Sequence, residues 1–449
     1  MVLPRREDGR VAWPDPPDRP LTPRHRDDGR PVALREYVAQ GGYAALRHAV
    51  TDLSPHDVLT EVKNSGLEGR GGAGFSAGRK WSFVSTDPGS VRPIFLVCNA
   101  DETEPGAFKD RILMENDPHL LLEGMALAAY SVQAEVAYLF VRAEYQRSIE
   151  VLRHAIAEAR EEDYLGPRVA GQSYSLDLRL HVSAGRYICG EASAMLNALE
   201  GVRPVPRVKP PHQTSSGLWS RPTVVNNVET LCCVPAIVAN GAEWYRSLGV
   251  NGQLGTKLYT VSGRVERPGA WELPVGTTIR DLIEKHAGGM RQGLAVRAVL
   301  PGGASTEFVL EKDFDTPMAG EPLGKVGSRA GTGTLIVLDD QTCPVALLHN
   351  LERFYARESC GWCVPCWGGL PWAERLLDSI ERGEGTQDDV ELLRWHTTMI
   401  RAENSFCDLA TGAMEPLRSA LEHFIDDIQQ HIREKACPWG QTSGRWGKG

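Results

Sequence analysis

The sequence predicts an α/β fold that gives way to a small β-rich module and then to a helical C-terminal region. Three observations predict it. Helical and strand patterns alternate between residues 35 and 245, which is the signature of α/β architecture. From Lys257 the pattern becomes strand, turn, strand and one short helix, with two further strand-like runs. After Cys343 it is helical through His431, with no clear strand. The expected boundaries are a loose tail over 1–30, an α/β domain over 31–250, the β-rich module over 251–340 and a helical domain over 341–449.

The elements follow in order. Residues 1–30 are rich in Pro, Arg and Asp and lack apolar periodicity, so order is expected to begin near Leu34. ALREYVAQGGYAALRHAV has helical spacing broken at Gly41-Gly42. Ser54 is placed to cap a following helix, with Pro55 at its first position and Asp57 three residues after the cap. A glycine-dense loop covers 66–78, and residues 93–98 form a short apolar run that suits a buried strand. In AEVAYLFVR both alternating faces are apolar, as a buried parallel strand requires. RSIEVLRHAIAEAREEDYLG is a periodic helix expected to stop at Gly166, and LDLRLHVSAG alternates as a strand. The module after Lys257 resembles a β-grasp, ubiquitin-like unit.

Composition excludes several classes. A length of 449 residues suits about three domains. A hydrophobic share of 42% and a charged share of 24% are those of a globular protein. The net charge of −9 argues against a nucleic-acid partner, which needs a basic field. The N-terminus has charge without an apolar core, so it is not read as a secretory signal. The most apolar long stretch, residues 120–141, carries Glu123 and Glu135 and reads as buried globular structure. The expectation is a cytoplasmic protein, or a peripheral subunit of a larger assembly, with no direct membrane insertion.

The sharpest local motif is Cys360-Gly-Trp-Cys363-Val-Pro-Cys366. Three thiolates at this spacing suit three corners of a [4Fe–4S] cube whose fourth ligand is distant. Structural zinc, which more often takes two separated cysteine pairs, is the competing reading. Cys343, Cys407 and Cys437 are the candidates for the fourth ligand.

The glycine loop runs Gly69-Arg70-Gly71-Gly72-Ala73-Gly74-Phe75 and continues to Arg79-Lys80. Gly69-x-Gly71-x-x-Gly74 matches the dinucleotide fingerprint formally, but a helix and not a strand precedes it. Either the loop brings backbone N–H groups and the charges of Arg70, Arg79 and Lys80 to a phosphate, or it is a plain surface loop. Asn99, Asp101, Glu102 and Glu104 follow a strand end, where they either bind a polar ligand or form an acidic turn. Asn226-Asn227 either caps the next helix or holds a polar ligand.

Together these stretches resemble the NADH-binding flavoprotein subunit of respiratory complex I, with close relatives in soluble NAD-linked hydrogenases and formate dehydrogenases. GLEGRGGAGFSAGRKWSF, VCNADETEPGAFKDR, GRYICGEASAMLNALEG, PRVKPP, PTVVNNVETL and ESCGWCVPC occur in the family's order. The resemblance implies a Rossmann-like domain for FMN and NADH, a β-grasp module and a helical bundle with one [4Fe–4S] cluster. It implies that a hydride passes from NADH to FMN and that single electrons pass on to the cluster and towards quinone.

By position, Gly69, Arg70, Gly71, Gly72, Ala73 and Gly74 match the loop near the flavin and dinucleotide phosphates. Lys80, Asn99, Asp101, Glu102, Tyr187, Gly190, Glu191, Asn226, Asn227 and Thr230 match the flavin site. Phe75 and Phe83 match aromatics stacked on adenine, and Glu104 a carboxylate facing the nicotinamide. Cys360, Cys363, Cys366 and Cys407 match the cluster ligands. Three positions depart from the pattern: Ala192 where a second glutamate is usual, His212 where a phenylalanine follows KPP, and Trp367-Gly368 after the cysteines. The first two bear on nucleotide choice and bring NADPH in beside NADH. The implied partners are NAD(H), a thioredoxin-like [2Fe–2S] subunit and a larger iron–sulfur subunit. A diaphorase subunit of a soluble hydrogenase or formate dehydrogenase, or a structural paralogue without nucleotide turnover, are the alternatives.

Overall fold

A computed structural model describes residues 19–26, 28–87 and 89–440. Four helices lead into the first sheet: α1 (Leu34–Ala39), α2 (Ala44–Asp52), α3 (Pro55–Asn64) and α4 (Ala77–Trp81). Ser54 and Asp57 form the reciprocal cap expected for α3. The sheet and its helices follow as β1 (Phe95–Ala100), α5 (Lys109–Asn116), α6 (Pro118–Ser131), β2 (Val136–Val141), α7 (Gln146–Glu161), β3 (Asp177–Val182), α8 (Ala192–Leu199), β4 (Thr223–Asn227), α9 (Val228–Cys232), α10 (Val234–Asn240) and α11 (Ala242–Ser247). The strands are parallel in the order β3-β2-β1-β4.

The two apolar faces of β2 serve two cores. Ala137, Leu139 and Val141 pack into the core that holds α6, while Phe140 packs into a core shared with the C-terminal helices. This second core fixes the sheet against the rest of the molecule through buried apolar area. Helix α7 ends at Glu161, earlier than the expected Gly166, which instead pairs with Leu176 at the turn into β3. Glu123, within apolar α6, accepts from Tyr37 Oη at 2.5 Å, Tyr43 N at 2.8 Å and Leu46 N at 3.1 Å. It serves the free amides that open α2, which is how an acidic group is tolerated in an almost wholly buried helix.

The β-rich module contains β5 (Thr256–Ser262), β6 (Gly269–Pro274), helix α12 (Ile279–Asp281) with a π-turn to His286, β7 (Val296–Leu300), β8 (Val309–Leu310), α13 (Gly320–Lys325) and β9 (Thr334–Asp339). Its mixed sheet has the order β6-β5-β9-β7-β8, with β5 and β9 parallel at the centre. The helical region is α14 (Pro344–Glu358), α15 (Val364–Glu381), α16 (Gln387–Met399), α17 (Asp408–His423) and α18 (Ile425–Glu434). No helix among the described residues is long and apolar enough to cross a membrane.

The expected tail lies outside the described residues up to position 18, but from Leu21 the chain is packed and not loose. Leu21 is buried, and its N–H donates to the Glu272 carboxylate at 3.0 Å, as does Thr22 N at 2.8 Å. Arg24 pairs with Asp117 at 2.6 Å. The partner residues lie some hundred to 250 positions away, so no local periodicity announces the docking.

Candidate functional site

A cleft of about 240 Å3 opens where the three regions meet. Its walls come from the glycine loop, the end of β1, the turn into α8, the β-rich module, and the loop before α17. Arg70, Gly71, Gly72, Ala73, Asn99, Asp101, Glu102, Glu104, Tyr187, Gly190, Glu191, Asn227 and Cys407 all line it. An adjoining cavity of about 130 Å3 shares Gly71, Ala73, Asn99 and Asn227 and adds Gly69, Gly74, Phe75, Lys80, Ala192, Asn226 and Thr230. Phe83 lines neither. It lies beside Phe75, ring centroids 6.1 Å apart, and both rings are exposed.

The glycine loop is held from below. Thr230 Oγ1 accepts from Arg70 N at 2.9 Å, and Gly69 N donates to Phe75 O at 2.9 Å. A side chain at Gly71 would come within 3.3 Å of Asn227 Cβ, so the loop passes close over the end of β4. Arg70 departs from the expectation of a charge offered to phosphate. Its guanidinium is buried and donates to Tyr245 Oη at 3.1 Å and Thr256 O at 3.0 Å. Burial disfavours its charge, but Tyr245 and Glu229 outweigh that and hold it protonated. It ties the first domain to β5. Lys80, whose Nζ donates to Val225 O at 3.0 Å, is the loop cation that lines the cavity, and burial lowers its pKa.

At the end of β1, Asn99 Nδ2 donates to Gly190 O at 2.9 Å, and its Oδ1 accepts from Asp101 N at 3.2 Å. Burial pushes the Asp101 carboxyl up to about 7. Glu102 accepts from Asp110 N at 3.0 Å and Arg111 N at 3.2 Å, so it caps α5. Burial, then Asp110, push its carboxyl up to about 7. Asn227 caps α9 through Glu229 N and donates to Asp110 at 2.5 Å. Beneath it Lys109 pairs with Asp110 at 2.6 Å and Glu229 at 2.9 Å.

Glu104 bridges two domains. Tyr187 Oη donates to its Oε2 at 2.6 Å, and Ser305 N donates to its Oε1 at 2.8 Å. Burial raises its pKa, and those two hydrogen bonds oppose the rise. Gly303, at φ +103°, approaches it so closely that a Cβ would lie 2.7 Å from Glu104 Cγ. Arg329 joins the same junction, donating to Ser305 O at 2.5 Å and to Glu415 Oε2 at 2.8 Å.

The sequence reading missed Lys109, Asp110, Gly302, Ser305, Arg329, Gly331, Thr332, Asp408 and Leu409, all of which line the cleft. Two glycine-rich turns, Pro301-Gly302-Gly303 and Gly331-Thr332-Gly333, flank strands of the β-rich module. They carried the same close-approach signal as the Gly69 loop.

The cysteine loop lies at the start of α15, with Cys363 as its N-cap. Cys407 holds the N-cap position of α17, and its thiol interacts with those of Cys360 and Cys366, while Cys366 interacts with Cys360 and Cys363. Phe406 N approaches Cys363 Sγ at 3.4 Å, and Ser359 Oγ approaches Cys366 Sγ at 3.2 Å. Cys343 and Cys437 lie elsewhere and pair with each other.

The residues present fit the groups the resemblance implies. In the cavity over the glycine loop, Asn226 Nδ2 is a buried donor with no protein partner, while its Oδ1 is taken by Trp81. A buried donor left unmet costs about 1–3 kcal/mol, so a ligand with acceptor atoms suits this position. Four neighbouring cysteines, with an N–H and a hydroxyl near their sulfurs, are the donor set of a [4Fe–4S] cluster.

The chain matches the family described as Nuo51 FMN-binding domain over 62–236, the SLBB domain over 258–309, and the NADH-ubiquinone oxidoreductase-F iron–sulfur binding region over 346–431. It is 50% identical over 419 residues to the F-type subunit of NADH-quinone oxidoreductase from Escherichia coli (strain K12), covering 93% of this chain and 94% of that protein. The corresponding protein of Mycobacterium tuberculosis (strain CDC 1551 / Oshkosh) is 42% identical over 428 residues, covering 94% and 96%. Among solved structures, NAD+-reducing [NiFe]-hydrogenase in its H2-reduced state superposes with a TM-score of 0.78 at 36% identity, covering 91% of this chain and 68% of that one. The chain belongs to the family of F-type subunits of NADH-quinone oxidoreductase and carries that family's FMN-binding and [4Fe–4S]-binding regions.

Proposed function

We propose that this chain is the electron-input subunit of an NADH-quinone oxidoreductase, taking electrons from NADH and sending them singly towards quinone. The observation that carries this is the cleft itself: the glycine loop and Cys407 line one space. The FMN and cluster regions therefore abut, and the cluster's distant ligand reaches the flavin side. FMN supplies the conversion between a two-electron hydride and single electrons, and the cluster supplies one-electron transport.

The chain's own residues bind and orient. Asn226 and Lys80 hold polar groups of the flavin, and Asn99 and Asp101 shape the wall opposite. Glu104, pinned by Tyr187 and Ser305, orients the nicotinamide without trading protons. Its rigidity is a proximity contribution, since reacting atoms must be held about 3–3.5 Å apart. Phe75 and Phe83 are exposed where a planar base can stack. Cys360, Cys363, Cys366 and Cys407 hold the cluster. Trp362, Val364, Trp367 and Phe406 are exposed around that loop, which supports a docked partner carrying the next redox centre. That partner is read as a thioredoxin-like [2Fe–2S] subunit together with a larger iron–sulfur subunit, holding this chain peripheral to the membrane.

The match to the NAD+-reducing hydrogenase supports a second reading, a diaphorase subunit with the same site and another acceptor. An anaerobic visible spectrum of the purified chain tests the shared core of both. Flavin and iron–sulfur absorption should bleach on adding NADH. Bands that neither NADH nor NADPH bleaches would leave only a structural paralogue. Co-purification from native cells separates the two acceptor classes.

A further inference from the structure

The helical region holds a second group of metal-binding side chains, apart from the four cluster cysteines. Cys343 Sγ, a ring nitrogen of His431 and Cys437 Sγ all lie within 4.8 Å of one another. Among the described residues this is the one group of three or more so tightly gathered. Cys343 and His431 are fully buried, and Cys437 is half-buried.

The histidine is oriented as a ligand. Its Nδ1 lies 2.7 Å from Asp427 O, and a carbonyl only accepts, so Nδ1 carries the proton. Its Nε2 lone pair then faces Cys343 Sγ at 3.3 Å. A backbone carbonyl fixing the tautomer in this way is the usual outer contact of a metal-bound imidazole. Trp439 stacks on the ring at 5.8 Å and 20°, which shields the group from one side. Cys343 opens the 15-residue helix α14 and accepts from Ala346 N at 3.4 Å; burial pushes its thiol up and this N–H opposes the rise, so a bound cation would be what holds it as thiolate.

We infer that Cys343, His431 and Cys437 form a mononuclear zinc site with two thiolates, one imidazole and a fourth ligand from outside this trio. Zinc with bonds of about 2.3 Å to sulfur and about 2.0 Å to nitrogen spreads tetrahedral ligand atoms roughly 3.5–3.8 Å apart, close to the arrangement here. A cubane cannot use these ligands in place of Cys407, because Cys407 and not Cys343 or Cys437 neighbours the Cys360 loop. Binding releases the two thiol protons to solvent and changes no oxidation state. The ion clips the start of the first helix of the region to the end of its last, and so holds the bundle that presents the cluster loop.

The test is metal content of the full-length holoprotein, purified under reductant and desalted against a mild chelator. Wild type should retain about one zinc per chain beside its cluster iron. Cys437→Ser should lose at least nine-tenths of the zinc with iron and FMN unchanged, and Cys343→Ser should do the same. Because Cys343 is buried, Cys437→Ser is the deciding variant. Loading Co2+ alone in place of zinc should give the absorption of tetrahedral thiolate-bound cobalt, absent in Cys437→Ser. Wild type without zinc and without cobalt absorption, zinc undiminished in Cys437→Ser, or a Cys343–Cys437 disulfide in the reduced preparation each overturns the assignment.

Discussion

At the flavin end the cleft draws its walls from residues as far apart as Arg70 and Leu409, whereas at the cluster end three of the four cysteines lie between 360 and 366. The first site exists only when three regions dock, and its polar groups are mostly engaged with one another: Asn99 with Gly190, Asn227 with Asp110, Glu104 with Ser305. The second is one loop plus one residue returned by α17. The difference teaches where each site is vulnerable. Damage to a cluster ligand should be local and complete, while damage at the flavin end should be graded, because many contacts share the load.

The largest expected effect is Cys407→Ala. It removes the one proposed cluster ligand that also lines the cleft. Cluster iron should fall by more than tenfold while FMN stays bound, read by iron analysis and flavin absorbance. If FMN leaves as well, the two ends are not independent. If iron stays normal, the fourth ligand is another cysteine.

Next is a stability effect with a defined sign. Burial holds the Asp101 carboxyl at about 7 against an ordinary 3.8. Between those values the folded chain keeps a proton that the unfolded chain has lost, so this group's contribution to stability is full below pH 4 and is lost as pH rises towards 7. The full difference is up to about 4 kcal/mol. Asp101→Asn should flatten the loss in the flavin-free chain, measured by urea unfolding between pH 4 and 8. An unchanged slope would show that Asp101 does not titrate there.

Glu104→Gln should be milder. It weakens a charge-assisted pair of hydrogen bonds worth about 1.5–3 kcal/mol, or roughly 10- to 100-fold in NADH oxidation, with FMN retained. Gly303→Ala should mimic it, since the added methyl group would strike Glu104 from the β-rich module. Loss of FMN in Glu104→Gln would place this residue in the flavin shell.

The same contrast explains what the sequence made legible. The Ser54 cap, the apolar faces of β2, the strand–turn–strand pattern after Lys257 and the helical tail region are local patterns, and each appears where expected. The cysteine loop is local too. Ser305 on Glu104 and the docking of Leu21 on Glu272 depend on pairings across 200 positions or more, and Arg329 on Glu415 across 86, which no window of periodicity records. Arg70 shows the converse. Its loop context suggested phosphate, but Tyr245 and Thr256 reach it from elsewhere and turn it inward. The group formed by Cys343, His431 and Cys437 is hidden in the sequence for the same reason, since its members are spread over almost a hundred positions and two of them compete with Cys407 as candidate cluster ligands.

The smallest expected effect concerns Ala192, the first residue of α8, which lines the cavity beside Lys80 and Phe75. An acidic group near an adenosine ribose accepts from its hydroxyls and repels the 2′-phosphate of NADPH. Glu191, the neighbouring carboxylate, is already committed: it accepts from Ala194 N at 2.8 Å and Ser193 Oγ at 2.5 Å, and Lys209 Nζ lies 3.3 Å away. It cannot give up these contacts cheaply to serve a ribose. With the ribose proposed to lie at this N-terminus, Ala192 would leave NADH short of one acceptor and NADPH without a repulsion. In Ala192→Glu the new carboxylate sits in the first turn of a helix, where the dipole favours it by about 0.3–1 kcal/mol, so the change should not destabilise the fold. The ratio of kcat/KM for NADH over NADPH, with an artificial electron acceptor, should rise about tenfold, as one added hydrogen bond of roughly 1 kcal/mol plus a modest repulsion would give. A ratio that does not move would mean that the ribose lies away from the N-terminus of α8, and that nucleotide choice is made at Phe75, Phe83 and Lys209 instead.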